Sequence, residues 1–120
     1  AVARDWQRLG PALVVITLGA RGAYALAPDA TEVRRPAWPV EVMDTVGAGD
    51  AFCAGLLDAL WRGAALGAAG DEALGRLTGH DIGGILDWAV LIAALTCERP
   101  GADPPTGDEA RRASAERTAR

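Results

Sequence analysis

The chain has 120 residues, half of them hydrophobic and 23% charged, with twelve basic side chains against sixteen acidic ones and a formal net charge of −4. That apolar content excludes a disordered polymer, no apolar run approaches the ~20 residues of a membrane span, and the negative balance gives no electrostatic footprint for nucleic acid. All twelve basic residues are Arg, so a Walker A loop, a protein-kinase strand lysine and a Schiff-base lysine are all excluded, and any phosphate must be held by backbone N–H groups, a helix N-terminus, Arg or a metal ion.

Leu13 to Leu18 is a short β-branched run bounded by Gly10-Pro11 and Gly19. It reads as a strand buried on both faces, as in a parallel or mixed α/β sheet. Gly19-Ala20-Arg21-Gly22 then makes a tight turn into a second strand over 22–26. Thr31 to Val42 is extended, and Pro36 and Pro39 confine it to an edge or irregular strand. From Asp44 a polar, glycine-bearing loop runs into a helix whose apolar positions 52, 53, 56, 57 and 60 fit a helical period and which Gly63 ends. Residues 64–79 are Ala/Gly-rich and form at most a weak helix. A further helix spans Ile82 to Cys97, with Asp81 as its N-cap, and Arg99-Pro100-Gly101 stops it. Beyond Pro104 the chain is polar, and its last residues read as a fraying tail or a solvated helix.

Cys53 and Cys97 read as two buried free thiols, as in a reducing cytoplasm. His80 has no ligand at metal spacing and reads as exposed or capping. Trp61 and Trp88 sit in apolar helical patterns and read as core anchors. Trp38, between two prolines, reads as packing, with a face toward a nucleotide as the alternative, and Arg34-Arg35 reads as a surface pair rather than a phosphate clamp. A doubly buried strand needs layers on both faces. Two or three strands with three helices leave one face or edge open, so the expectation is the C-terminal piece of a longer α/β protein.

Chemistry concentrates at Gly47-Ala48-Gly49-Asp50. Glycines permit close backbone approach, and a helix N-terminus presents free N–H groups and a positive dipole end to an anion. A carboxylate in that turn can accept the proton of an attacking hydroxyl. Taken alone, such a string is most simply a turn whose Asp caps a helix, and it departs from the dinucleotide-binding fingerprint at Phe52.

The longer string Asp44-Thr45-Val46-Gly47-Ala48-Gly49-Asp50-Ala51-Phe52, with Gly55 after it, resembles the C-terminal signature of the ribokinase/fructokinase (PfkB-type) superfamily of carbohydrate kinases. Thr17-Leu18-Gly19-Ala20-Arg21-Gly22-Ala23 resembles that family's nucleotide-binding turn, and Thr96 to Ala102 its late segment. Gly101-Ala102-Asp103-Pro104-Pro105-Thr106 leans toward the bacterial fructokinase branch. The resemblance implies the C-terminal part of a ribokinase-like three-layer α/β/α fold, with residues 1–107 as the nucleotide-binding portion and 108–120 as a polar tail.

It implies Asp50 as the base that deprotonates a sugar hydroxyl. Gly47, Ala48 and Gly49 would form the anion hole, and Thr17, Gly19, Ala20, Arg21 and Gly22 would line the ATP site. A monovalent cation, K+, would be held at Asp44, Val46, Thr96, Arg99 and Gly101. Pro105 stands where a hydroxyl residue is common, which weakens that set.

ATP, Mg2+ and a small sugar are the implied ligands, with no nucleic acid and no membrane, and the full-length family member could be a homodimer. The family's sugar contacts lie mostly before this stretch, so the isolated 120 residues are expected to turn over weakly or not at all. A β-branched residue at Gly49 is expected to damage the loop itself. The alternatives are a superfamily kinase for a nucleoside or sugar acid, or a truncated, non-catalytic nucleotide-binding fragment.

Overall fold

The computed structural model describes residues 2–63, 65–67 and 70–118. A short helix α1 (Val2–Gln7) leads to strand β1 (Val14–Thr17), one turn of 3-10 helix (Gly19–Arg21) and strands β2 (Ala23–Leu26) and β3 (Glu32–Arg35). Four further helices follow, α2 (Ala48–Arg62), α3 (Gly70–Gly75), α4 (Gly79–Cys97) and α5 (Gly107–Thr118). The strands pair as an antiparallel meander in the order β1-β2-β3, with Val14 opposite Leu26 and Ala23 opposite Arg35. The turns between them are too short for the crossover that parallel pairing requires, so among the described residues the sheet contains no parallel pair.

Burial on both faces falls to β2, not to β1. Successive side chains of a strand point to opposite faces. Ala23 and Ala25, with Ala27 just beyond, join Val33, Phe52, Ile82 and Leu86 on one face, while Tyr24 and Leu26 join Ala3 and Val14 on the other. In β1 only Val14 is buried, because among the described residues that strand has a neighbour on one side only. Helix α1 covers one face, and α4 with Phe52 of α2 covers the other. The layering is therefore α/β/α. The extended segment expected over Thr31 to Val42 is a strand only over Glu32–Arg35, because Pro36 and Pro39 have no N–H to give a ladder.

Helices α2 and α4 pack along each other. A Cβ at Gly55 would lie 3.1 Å from Ile92 Cγ1 and 3.2 Å from Ala89 Cα, so this glycine lets the two backbones approach. Gly63 caps α2, its N–H donating to the carbonyls of Ala59 and Trp61. The inward face of α2 is Ala51, Phe52, Gly55 and Leu60. Cys53 is exposed and Trp61 is 67% exposed, which corrects the expected buried thiol and core anchor. Positions 53, 57 and 61 fall on the outer face of the same helix, and apolar spacing alone did not say which of two apolar stripes turns inward. Trp88, expected as a core anchor, is only half-buried at the core's edge, packing beside Ala51, Ile92 and Ala110, with its Nε1–H donating to Asp58 at 3.0 Å.

Helix α4 starts three residues earlier than its apolar pattern. Thr78 is the N-cap, and Asp81 occupies the third helical position of a reciprocal capping box. Asp81 is thus not the cap itself. By length and mean hydropathy this helix could cross a membrane, but half of its apolar stretch is buried against α2 and the sheet. It is the core helix of this fold.

Of the weak helix expected over 64–79, residues 64, 68 and 69 lie outside the described residues, and α3 covers only Gly70–Gly75. The expected tail is helical to Thr118, with residues 119 and 120 outside the described set. Thr106 and Glu109 exchange bonds with each other's backbone N–H at 3.2 and 2.9 Å, and Ala110 is fully buried against Ala51 and Ile92.

Candidate active site

The loop before α2 is tied to the end of α4. The N–H groups of Met43 and Asp44 both donate to the Cys97 carbonyl, at 2.8 and 3.2 Å. The Asp44 carboxylate accepts from the N–H of Val46 at 2.9 Å and from the N–H of Gly101 at 3.0 Å. These backbone donors, Val46 first and then Gly101, hold the Asp44 carboxyl below its ordinary pKa. Gly47 turns the chain into the helix with φ +79°, and a Cβ there would sit 2.8 Å from that of Ala102. Only glycine meets both demands.

The start of α2 carries no side-chain cap. Ala51 N–H returns to the Gly47 carbonyl at 2.8 Å and Ala48 N–H to the Thr45 carbonyl at 3.2 Å. The N–H groups of Gly47, Gly49 and Asp50 have no acceptor among the described residues. Of the three positions expected to form an anion hole, Ala48 has its N–H engaged, and Asp50 adds a free one. The positive end of a 15-residue helix lies at the same point. Gly49 is unlike Gly47, since a Cβ on it would meet nothing within 4 Å. The expected damage to the loop from a side chain at Gly49 therefore has no basis in protein contacts. The opening there is toward the cleft.

That cleft has a volume of about 560 Å³ and is walled by both glycine turns, a size ordinary for a small-molecule site. Thr17, Gly19, Ala20 and Gly22 line one side and Thr45, Ala48 and Gly49 another. The first turn is closed by Leu18 N–H to the Gly22 carbonyl at 2.8 Å and Gly22 N–H to the Gly19 carbonyl at 3.0 Å. Gly22 has φ +89°, and a Cβ there would overlap the Arg35 carbonyl oxygen and lie 2.7 Å from Ala37 N. Arg21 is exposed and does not line the cleft. Asp50 is exposed one residue beyond Gly49, and its carboxylate has no hydrogen bond or ion pair among the described residues.

The positions expected to hold a monovalent cation are only partly brought together. Asp44, Val46 and Gly101 meet through the two bonds just described. The Thr96 hydroxyl is buried and donates to the Ile92 carbonyl at 2.8 Å, while the Thr96 carbonyl accepts from Arg99 N–H at 3.2 Å. The Arg99 side chain turns away to Glu109 at 2.6 Å.

Apart from Trp38, the rest of the cleft was not evident from the residues. Trp38, Pro39, Val40 and Val42 form a further wall, and Phe52, Val90, Ala93, Ala94 and Cys97 the floor. The spacing 90, 93/94, 97 marks one face of α4, with small residues that leave room, and that was the available signal. Trp38 both packs on the core and lines the cleft. Cys97 is half-buried rather than buried, and desolvation, then the nearby Asp44 charge, raises its thiol pKa. His80 is exposed and Arg35 pairs with Asp87 at 2.7 Å, in line with surface roles.

A sequence profile described as pfkB family carbohydrate kinase matches residues 1–108. The chain is 50% identical over 60 residues to a fructokinase of Rhizobium leguminosarum bv. trifolii, which covers 50% of this chain and 18% of that protein. It is 35% identical over 97 residues to an ATP-dependent ribose-1-phosphate kinase of Halopiger xanaduensis, 80% of this chain and 27% of that one. Among solved structures it is similar to aminoimidazole riboside kinase of Salmonella enterica, complexed with aminoimidazole riboside and an ATP analog, at TM-score 0.69 and 29% identity over 90% of this chain and 33% of that chain. The chain thus spans a third or less of the length of each of these relatives. With a ribokinase-like α/β layering, two glycine turns facing one cleft and a profile match over nearly all its residues, the chain belongs to the pfkB family of carbohydrate kinases.

Proposed function

We propose that this chain is the ATP side of a sugar kinase, with the nucleotide in the cleft between the 17–22 turn and the start of α2. The observation that carries the reading is the set of unpartnered N–H groups at Gly47, Gly49 and Asp50, on the positive end of α2 beside the cleft. Phosphoryl transfer needs positioning and charge stabilisation more than covalent help from the protein. Those N–H groups face the developing charge on the transferred phosphoryl, with Ala48 completing the turn.

Asp50, free of other partners, takes the proton from the sugar hydroxyl. The hydroxyl oxygen then forms its bond to the γ-phosphorus while the bond from that phosphorus to the β,γ-bridging oxygen breaks, and ADP leaves. Thr17, Gly19, Ala20 and Gly22 hold the nucleotide, and Arg21 reaches it only by swinging in from solvent.

Mg2+ neutralises phosphate charge when bound. With Asp50 kept for the proton and the Asp44 carboxylate held by the Val46 and Gly101 N–H groups, nucleotide phosphates and water would supply its ligands. For K+, Asp44 with the carbonyls of Val46, Thr96, Arg99 and Gly101 are the oxygens on offer, those of Thr96 and Gly101 each already accepting an N–H, from Arg99 and Asp103. The acceptor is a sugar, and the identity to a fructokinase over half the chain favours fructose. The second reading, a riboside acceptor, is favoured by the aminoimidazole riboside kinase likeness. Residues 1–107 make up this nucleotide-binding portion, and α5 closes it.

In the enzyme that carries this chain, Asp50→Asn is expected to retain ATP binding and to lose about 10²–10⁴-fold or more in kcat. A near-normal kcat in that variant would overturn Asp50 as the base. Rates with fructose, ribose-1-phosphate and a riboside, measured side by side, decide the acceptor.

A further inference from the structure

One contact near the cleft has no part in the chemistry above. The Arg117 guanidinium, in the last turn of α5, lies 4.8 Å from the centre of the Trp38 ring. Its Nη2 pairs with Glu98 at 3.3 Å, its side chain is 20% exposed, and its Nη1 is buried with no partner among the described residues. Such a guanidinium is costly to bury unless the ring and the carboxylate compensate it.

Helix α5 is fixed in this position by Ala110, buried against Ala51 and Ile92, and by Glu109 paired with Arg99. Trp38 is the cleft's accessible aromatic wall, since Phe52, the other ring there, is 4% exposed. The free N–H groups draw a polyphosphate to the start of α2. An apolar, planar nucleobase then finds its match on the wall formed by Trp38, Pro39 and Val40.

On the nucleotide reading above, we propose that Arg117 is a positioning residue. It clamps Trp38 from α5, so that the indole is a fixed wall for the base of the nucleotide, without touching the nucleotide itself. Loss of the clamp weakens binding of a nucleotide but leaves binding of phosphate alone unchanged.

The test compares Arg117→Met, Arg117→Lys and Glu98→Gln with the unaltered chain, titrated calorimetrically with MgADP and with inorganic tripolyphosphate. The Met variant keeps the apolar stem, and the Glu98 variant loosens the clamp if the Met variant does not fold. Arg117→Met is expected to weaken MgADP about 3–10-fold with tripolyphosphate unchanged. Glu98→Gln is expected to do so less, and Arg117→Lys to stay within about twofold of the unaltered chain, because it keeps a cation over the ring. ADP quenching of tryptophan fluorescence, lost in Trp38→Leu, is expected to shrink in Arg117→Met. Unchanged MgADP affinity, or equal weakening of both ligands, overturns the clamp. If the unaltered chain binds tripolyphosphate but not MgADP, the base wall falls and the anion site stands. Binding of neither ligand overturns the nucleotide reading and the clamp with it.

Discussion

Gly22 and Gly49 line the same cleft for opposite reasons. Gly22 needs a positive φ and has backbone where a Cβ would go, so Gly22→Ala is expected to cost about 3 kcal/mol, read from urea unfolding. Gly49 sits in regular helix with open space over it. Gly49→Ala is expected to leave stability unchanged or raise it by up to about 1 kcal/mol, while tripolyphosphate affinity falls because the methyl occupies the anion's place. A destabilised Gly49→Ala with normal anion affinity would contradict this. Both glycines were legible as turn residues, since each belongs to a motif. Which one is closed in by the chain and which is open was not legible, because that depends on Arg35 to Ala37 crossing behind Gly22 and on nothing crossing above Gly49.

Helices α4 and α5 both begin with reciprocal caps, Thr78 with Asp81 and Thr106 with Glu109. The Thr-x-x-acid spacing was present in the residues at both places, and it marks a helix start better than the first apolar residue does. Reading Asp81 as the cap put the start of α4 too late, and overlooking Thr106 left α5 as a tail or solvated helix. Thr78→Ala is expected to lower stability by about 1 kcal/mol by leaving first-turn N–H groups unmet. Thermal unfolding followed by circular dichroism measures it, and an unchanged midpoint would show the cap to be dispensable. For α2 the difficulty was of another kind. Leu57 and Trp61 are as apolar as Phe52 and Leu60, and only the position of α4 and the sheet decides which stripe is covered.

Several carboxylates across the chain are held below their ordinary pKa values by folded-state partners. Asp44 is held by Val46 and Gly101 N–H groups, Asp81 by Thr78, Asp29 by Thr31, and Glu109 by Arg99 and then Thr106. Each binds its proton more weakly when folded than when unfolded. Their stabilisation is therefore complete above the ordinary carboxylate range, near pH 4, and is lost as pH falls through the lowered folded values. The urea midpoint is expected to stay level from about pH 7 to pH 5 and to drop below about pH 4. Asp44→Asn is expected to make that drop shallower and to release the 43–47 loop from Gly101. A midpoint that rises on acidification would contradict the assignment.

The amino-acid sequence by itself determined the family and the two glycine turns of the cleft. Those depend on local backbone requirements, which are written in consecutive residues. It also set the order of strand, turn, strand and long helices, through runs of β-branched residues and helical spacing. Only the tertiary structure decided that β2 rather than β1 is the doubly covered strand, and that the outer stripe of α2 is left open. It also brought Trp38, α4 and Arg117 together around the cleft. Each of those outcomes depends on contacts between residues far apart in the chain, where burial is shared among competing apolar surfaces and no local signal ranks them.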